Sequence, residues 1–490
     1  MSEITTALNE ILLKCKDGKN TECSSDSAIH FIGILGSGCY PLARLLSARG
    51  YRVTGSDAAL TDTYTDESSI GLVLSGPPHG TAMAVYSLAI SESDPEILSA
   101  RSRGIPLVSR AQLLGALMSL YPVRISVSGS HGKSTTTAIA EHILSLSGLP
   151  HTAVSGALLA TGSAYTDDGG DIFLAEACEY KDSFLCLRPT HQIITSVELD
   201  HTDYFDSLDA IRASFLTAAG QADTVIINCD DTVAAGIARE LTVGVSNLQD
   251  VEKIDTSPTL SRENADKTRQ RVITYGYSPD ADYRIHSVCM SGGCTSFSLS
   301  HGTHTLTLST PLIGRFNLYN LAAAAALADT LGIDSETVAR AISDFHGIDR
   351  RLSLVARVGT VPIYYDYAHH PTEIAAVITA LKERHGSLTV IFRPHTYSRT
   401  ESLWREFVAA LSLADRVILL DVYPAREEPI EGINSYRLAQ AVGGAIYSSE
   451  PTKAARLAIG QGTDAIALLG AGDVADVKRD LEYLAKQNGN

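Results

Sequence analysis

The sequence predicts an α/β protein of two or three domains built on mostly parallel sheets. Strand-like apolar runs alternate with helix-like runs almost throughout, the pattern of α/β layers. The chain has 490 residues, more than the roughly 250–300 that one core supports. Its later strand-like runs empty into glycine or polar turns, and in open parallel sheets ligands sit at the carboxyl ends of strands.

The elements follow in order. Residues 1–27 read as a short amphipathic helix and a polar linker. A first unit opens at 28-AIHFIGILGSG-38, a strand into a glycine turn; a helix over Pro41–Ala48 and a strand at 51-YRVTGSD-57 come next, and short units run on to Tyr121-Pro122. A second unit opens at 124-RISVSGSHGKSTTTAIAEHIL-144. Ile139, Ile143 and Leu146 share one helical face, and Gly148 and Pro150 stop that helix. Strands are expected at 171–177, 192–199 and 223–228, an exposed charged loop at 249–271, and a packed helix at 321-LAAAAALADTLGI-333. A third unit begins near 347-GIDRR-351, with strands at 361–367, 388–394, 416–423 and 464–473. The boundaries so read are 1–27, 28–122, 123–347 and 348–490.

Bulk properties exclude several classes. Apolar residues make up 44%, enough for packed cores, and the net charge is −17. That charge argues against a nucleic-acid binder, although a local pocket can still hold an anion. The eight cysteines form no C-x-x-C pair, which points to reduced thiols of a cytosol. No apolar run reaches about 18 residues, and the N-terminus lacks the apolar stretch of a signal peptide. The expectation is a cytoplasmic protein with neither membrane nor nucleic-acid partners.

The segment Gly129–Thr135 has the mechanics of a triphosphate loop: a strand, a glycine turn, then a helix opening on Lys133 and Ser134. It is two residues shorter than G-x-x-x-x-G-K-[ST], whose first glycine position is Val127 here. Backbone amides of Gly129, Ser130, His131, Gly132 and Thr135 are expected to surround phosphate oxygens. Lys133 would neutralise phosphate charge, and the Ser134 hydroxyl would ligate Mg²⁺. Carboxylates for that ion are expected from 175-AEACEY-180 and 198-ELDHTDYF-205, where Glu176 and Glu179 end one strand and Asp200 and His201 another. Because Mg²⁺ prefers oxygen, His201 indicates either a second metal or a role in orienting a carboxylate.

The ordered set G-S-H-G-K-S-T-T-T, E-A-C-E, E-L-D-H-T-D-Y-F, G-R-F-N-L-Y-N, D-Y-A-H-H-P-T-E, R-P-H-T-Y-S-R-T, Y-P-A-R-E-E-P-I and G-A-G-D resembles the Mur ligases, and among them the alanine-adding type. The short phosphate loop is that family's form. The resemblance covers nearly all of the chain from residue 29. It implies a Rossmann-like N-terminal domain for a UDP-sugar, a central P-loop-type ATPase domain with a mostly parallel sheet, and a Rossmann-like C-terminal domain for an amino acid. It implies peptidoglycan-precursor chemistry with ATP and Mg²⁺ or Mn²⁺: the lactyl carboxylate of UDP-N-acetylmuramate takes the γ-phosphate, and the L-alanine amine displaces phosphate. The physics agrees, since a carboxylate becomes a good acylating agent once its leaving group is phosphate, and bringing two anions together needs cations.

Carried over by position, the resemblance makes Lys133, Ser134, Glu176 and His201 the phosphate and metal residues, with Ser134, Glu176 and His201 as the metal ligands. Asn317 and Asn320 would recognise adenine, the alternative for Asn317 being a cap on the helix after residue 320. Arg351 would reach phosphate. Asp366, Tyr367, His369 and His370 form the turn facing ATP and the amino acid, with one of the two histidines alternatively serving only to orient it. His395 and Arg399 would hold the amino acid, a guanidinium suiting its carboxylate. In the first domain Gly33, Gly36 and Gly38 would carry the diphosphate, Ser56 and Asp57 the nucleoside side, with Ser87 and Arg110 as further contacts.

Several positions depart from the family's pattern. Leu35, Tyr40 and Pro41 are expected to crowd the first glycine turn, since glycine alone takes positive φ cheaply. Gly76-Pro77 stands where G-H is usual, with His79 displaced; Thr195-Ser196 stands where T-N is usual; and Phe316 replaces a histidine. These changes bear on sugar-nucleotide recognition more than on the ATPase. Competing readings are a murein-peptide recycling ligase, a ligase-derived nucleotide-binding regulator, and a nicotinamide oxidoreductase built on Gly36, Gly38 and Asp57. The last has Pro41 at its third glycine position and no use for a second phosphate loop.

Overall fold

The computed structural model describes residues 28–66, 68–202, 204–251, 270–425, 427–471 and 474–488, together with Leu8, Glu10 and Leu12. These three are helical, with Leu8 and Leu12 buried and Glu10 exposed. The rest of the expected N-terminal helix and linker, and most of the expected charged loop, lie outside the described residues, as do Asp203, Arg426, Gly472 and Asp473 of the quoted motifs. The described residues fall into two compact units. The first runs to Cys289 and includes 296–309 and 319–345; the second comprises 290–295, 310–318 and 346 onward.

The first unit opens with a six-stranded sheet in the order Tyr64–Thr65, Gly71–Val73, Val53–Ser56, Ala28–Ile32, Thr81–Tyr86, Leu107–Ser109. Ala28–Ile32 is parallel to both of its neighbours and buried along its whole length, as a central strand covered on both faces must be. The order reverses beside this strand, so the glycine turn that follows it lies at a topological switch point.

A ten-stranded sheet follows, ordered His304–Thr310, Cys294–His301, Tyr283–Ser291, Arg271–Gly276, Thr224–Asn228, His191–Ile194, Val123–Ser128, Ile172–Glu176, His151–Val154, Tyr165–Asp167. Its central strands are parallel, and Val123–Ser128 feeds the phosphate loop. One apolar cluster, including Phe31, Leu42, Leu113, Phe173 and Phe215, runs through the first unit. A polar bracket joins the helix Cys39–Ala48 to this sheet at its C-terminal end. Arg49 donates to both Asp167 carboxylate oxygens (2.9 and 2.7 Å), to Thr152 (2.9 Å) and to the Tyr121 hydroxyl.

The second unit holds a six-stranded sheet ordered Ser353–Val358, Val361–Asp366, Ala465–Leu469, Leu388–Phe392, Arg416–Leu419, Ile446–Tyr447. Only the first pair is antiparallel. Successive residues of Val361–Asp366 feed opposite cores, Tyr364 into one and Ile363 and Tyr365 into the other. Both faces are therefore covered by helices, the doubly wound arrangement.

Two expected elements end elsewhere. The strand expected over 192–199 stops at Ile194, because Thr195 and Ser196 turn their polar groups to neighbouring loops: the Thr195 carbonyl accepts from Asn228 (3.0 Å) and the Ser196 carbonyl from the Ser130 amide (2.9 Å). The alanine-rich helix starts at Arg315 rather than Leu321, directly after left-handed Gly314. Asn317 and Asn320 thus lie inside the helix, which corrects the capping alternative for Asn317. The expected loop at 249–271 likewise begins later, residues 249–251 closing the helix Thr232–Val251.

Candidate active site

The phosphate loop is shaped by two left-handed glycines, Gly129 (φ 139°) and Gly132 (φ 85°). A Cβ on Gly129 would overlap Thr195 Oγ1, and one on Gly132 would come within 2.6 Å of Asn320 Oδ1. Both therefore have to be glycine for steric as well as conformational reasons. The amides of Ser130 and His131, expected to face phosphate, are instead given to the Ser196 carbonyl (2.9 Å) and hydroxyl (3.1 Å). The Ser130 hydroxyl completes the seam with Glu198, donating to its carbonyl (3.1 Å) and accepting from its amide (2.9 Å). Ser196, one of the departures from the family pattern, thus pins the loop. The donors left to face an anion are the first amides of the helix Lys133–Ser147, which have no intrahelical acceptor.

Lys133 lies back across this loop. Its ammonium donates to the Gly129 carbonyl, to Ser130 O (3.3 Å), and to both Glu179 oxygens (3.0 and 2.9 Å). The Glu179 side chain is fully buried, and that of Lys133 is 15% exposed. Burial disfavours the ammonium, but attraction from Glu179, with Cys178 and Glu176, outweighs it and holds the Lys133 pKa above the ordinary lysine value.

Beside it, the Ser134 hydroxyl donates to Glu176 Oε1 (3.0 Å), whose other oxygen accepts from Ser155 Oγ (3.1 Å) and Gly156 N (3.0 Å). A hydroxyl and a carboxylate this close form the hard-oxygen donor set that suits Mg²⁺. His201 joins the other carboxylate: its Nε2 is 3.8 Å from Glu179 Oε1. The three expected metal ligands are therefore split, Ser134 with Glu176 and His201 with Glu179, which fits the carboxylate-orienting alternative for the histidine. His131 Nε2 stands 3.3 Å from Glu198 Oε2. Thr135 is buried in the first helical turn. Asn320 meets this loop, its Oδ1 accepting from the Thr136 hydroxyl (3.1 Å), whereas the Asn317 amide turns back to Ile313 O (2.8 Å).

In the first sheet, the Gly33 amide is committed to Ser56 O (2.8 Å) and the Gly36 amide to Gly33 O (3.2 Å). Of the three expected glycine amides, only that of Gly38 has no protein acceptor among the described residues. The missing side chain at Gly38 makes room for Arg110, whose Nε is 3.0 Å from where a Cβ would stand. Ser56 is buried, donating to Glu96 and lying 3.3 Å from His30 Nε2, so the structure turns it into the domain rather than toward a nucleoside. Burial opposes the Glu96 charge, yet His30, Ser56 and the Gly76 amide hold its pKa below the usual carboxylate value. Asp57 accepts from Leu35 N (3.0 Å), and Ser87 Oγ from Ala89 N (3.3 Å). The expected crowding does not occur: Leu35 is exposed, Tyr40 bonds Asp66 (2.8 Å), and Pro41 sits in the first turn of its helix, where no amide donor is needed.

The second unit gathers its own set. Asp366 ends a strand, accepts from Ala368 N and Leu352 N (both 2.7 Å), and is pushed up to about 6 by burial, with Arg351 opposing. Arg351 lies 5.5 Å from the centre of the Tyr367 ring. His370 is the buried N-cap of the helix Pro371–His385, while Glu373 accepts from the His369 and His370 amides (3.0 and 3.3 Å). His370 is thus the histidine that orients the turn. His369 is 3.6 Å from Glu373 and has its ring centre 6.1 Å from that of His395. Burial, then Arg399, pushes His395 below the ordinary histidine value. Glu427 closes this group from Tyr423–Glu428, accepting from Ser398 N (2.9 Å) and Oγ (2.5 Å).

Family models match three stretches: "Mur ligase family, catalytic domain" over 28–122, "Mur ligase middle domain" over 127–257 and 251–328, and "Mur ligase, glutamate ligase domain" over 350–472. The chain belongs to the Mur ligase family. Among its relatives, UDP-N-acetylmuramate–L-alanine ligase of Paenarthrobacter aurescens is 37% identical over 91% of this chain and 94% of its own length. That of Thermobifida fusca is 34% identical over 92% and 94%. The fold is shared with UDP-N-acetylmuramate–alanine ligase of Thermotoga maritima, at TM-score 0.74 and 23% identity over 94% of this chain and 100% of that one.

In this Mur ligase the residues that sequence reasoning left out of its site are Ser196, Glu96 and Glu427, and it offered Glu179 as a metal carboxylate without its pairing to Lys133. Glu179 and Glu427 stand inside quoted motifs, but nothing in one dimension says which of two neighbouring glutamates faces the lysine. Ser196 and Glu96 carry no local signal, since their partners are 65 and 40 positions away.

Proposed function

We propose that this Mur ligase joins L-alanine to the lactyl carboxylate of UDP-N-acetylmuramate, with ATP converted to ADP and phosphate. The observation that carries the reading is the pairing of Lys133 with buried Glu179 directly beside the Ser134–Glu176 contact, in a chain whose relatives are named as alanine ligases. Lys133 exchanges its loop carbonyls for γ-phosphate oxygens, and the helix amides from Lys133 onward hold the β-phosphate side. Ser134 and Glu176 would hold Mg²⁺, which supplies charge neutralisation as carboxylate and phosphate approach. The carboxylate oxygen bonds to phosphorus as the bond to ADP breaks; the alanine amine then adds to the acyl carbon, and phosphate leaves with the C–O electron pair. Arg399 pairs with the alanine carboxylate, and His395, held neutral, stays beside it without adding positive charge.

The division of labour assigns 28–122 to the UDP-sugar, 123–347 to ATP and 348–490 to the amino acid. The use of ATP and a nucleotide-linked sugar supports a cytoplasmic reaction; separately, no described helix is long and apolar enough to cross a membrane. The test is ADP release that requires both UDP-N-acetylmuramate and L-alanine, scanned against glycine, L-serine and a peptide. Oxygen-18 from the lactyl carboxylate must appear in the released phosphate; unlabelled phosphate would rule out the acyl-phosphate route.

A further inference from the structure

The segment following Glu179 holds two consecutive non-glycine residues in the left-handed region, Lys181 (φ 50°, ψ 40°) and Asp182 (φ 55°, ψ 25°), and His201 is left-handed too (φ 54°). Side-chain-bearing residues adopt that backbone only at a steric cost, and two in succession persist only where surrounding bonds over-determine them. The bonds are visible. Asp182 accepts from the Tyr204 hydroxyl (2.6 Å) and from the Ser214 hydroxyl, and its amide donates back to Glu179 O (3.0 Å). Tyr204 in turn donates its amide to His201 O (2.8 Å). The Tyr180 ring, between the two segments, has its centre 4.9 Å from that of His201 and 6.4 Å from that of Tyr204. The bond from Tyr204 to Asp182 pushes the phenol up to about 12, so the tyrosine remains a donor throughout the working pH range.

Each end of this clamp lies a few residues from a group in the phosphate site: Asp182 three after Glu179, Tyr204 three after His201. Glu179 and His201 stand 3.8 Å apart on loops that leave different strands of the sheet, and the Tyr204–Asp182 bond ties those two loops together. We infer that Asp182 and Tyr204 are positioning residues, a carboxylate–phenol clamp that fixes the Glu179–His201 pair against Lys133. The inference rests on the ligase reading above and adds to it two residues that touch none of the reacting groups.

The test uses the full-length protein with Tyr204→Phe, Asp182→Asn and the double variant, each checked for its thermal midpoint. Tyr204→Phe removes one oxygen from a residue that is 42% exposed, so the fold survives it even if Asp182→Asn is poorly folded. The clamp predicts that Tyr204→Phe lowers kcat about tenfold, the scale of one hydrogen bond to a charged group, with KM for ATP altered and KM for L-alanine within twofold. The double variant should be no slower than the worse single, because both remove the same bond. Unchanged kcat in Tyr204→Phe, losses that multiply in the double variant, or a parallel rise in KM for alanine would each overturn the proposal. A wild-type protein inactive with UDP-N-acetylmuramate and L-alanine overturns the ligase reading and the proposal with it, whereas an active wild type with unaffected variants overturns the clamp alone.

Discussion

Lys133 is expected to hold the fold as well as the phosphate. Its ammonium bonds both oxygens of a carboxylate that has no solvent exposure. Removing one member of a buried pair strands the other charge, at a cost of about 3–5 kcal/mol. For Lys133→Met the lower end applies, about 3 kcal/mol, because His201 remains 3.8 Å from Glu179. For Glu179→Gln we expect about 2 kcal/mol, since Lys133 keeps the Gly129 and Ser130 carbonyls. The double variant strands neither charge, so its cost should fall below that of Lys133→Met alone and well short of the sum of about 5 kcal/mol, a coupling of at least about 2 kcal/mol. The sign with pH follows from the raised Lys133 pKa. Its contribution is fully present below the unfolded value of 10.5 and is lost only as pH rises through the folded one, so the cycle should be flat between about pH 6 and 9. Denaturant unfolding followed by far-UV circular dichroism is the assay, because the chain's one tryptophan, Trp404, lies in the other unit. Additivity within about 0.5 kcal/mol would refute the reasoning.

Lys133→Ala should abolish phosphate release and most ATP affinity, read by ADP formation and nucleotide titration. Gly132→Ala should weaken ATP binding at least tenfold: a Cβ at φ 85° costs about 1–2 kcal/mol and also displaces Asn320 from Thr136. Arg399→Ala should raise KM for alanine about tenfold or more with a smaller change in kcat; an unchanged KM removes its assigned role. His395 has a depressed pKa, so its contribution is present above about pH 6.5 and lost as pH falls through the folded value. The unfolding midpoint should therefore be insensitive to this residue above about pH 6.5 and fall below it, and in His395→Gln that added fall should vanish.

The phosphate loop was legible in one dimension because its chemistry is local: Gly129, Gly132, Lys133 and Ser134 lie within six consecutive positions, and glycine at a strand-to-helix junction has few other uses. The alternation of strands and helices likewise announced the α/β layers, and the strands expected within 388–394, 416–423 and 464–473 are present as Leu388–Phe392, Arg416–Leu419 and Ala465–Leu469. What the order of residues left open was every pairing made across crossovers. Whether Glu176 or Glu179 faces Lys133 depends on how the backbone leaves the strand Ile172–Glu176, which no propensity specifies. That Ser196 rather than phosphate receives the Ser130 and His131 amides depends on the register of His191–Ile194 beside Val123–Ser128. That Ser56 turns inward to Glu96 and His30 depends on how a helix 40 residues later packs on the sheet. Local chemistry is written in spacing along the chain; which side chains share a few ångströms is set by strand register and helix packing, and those are decided only when the apolar faces close.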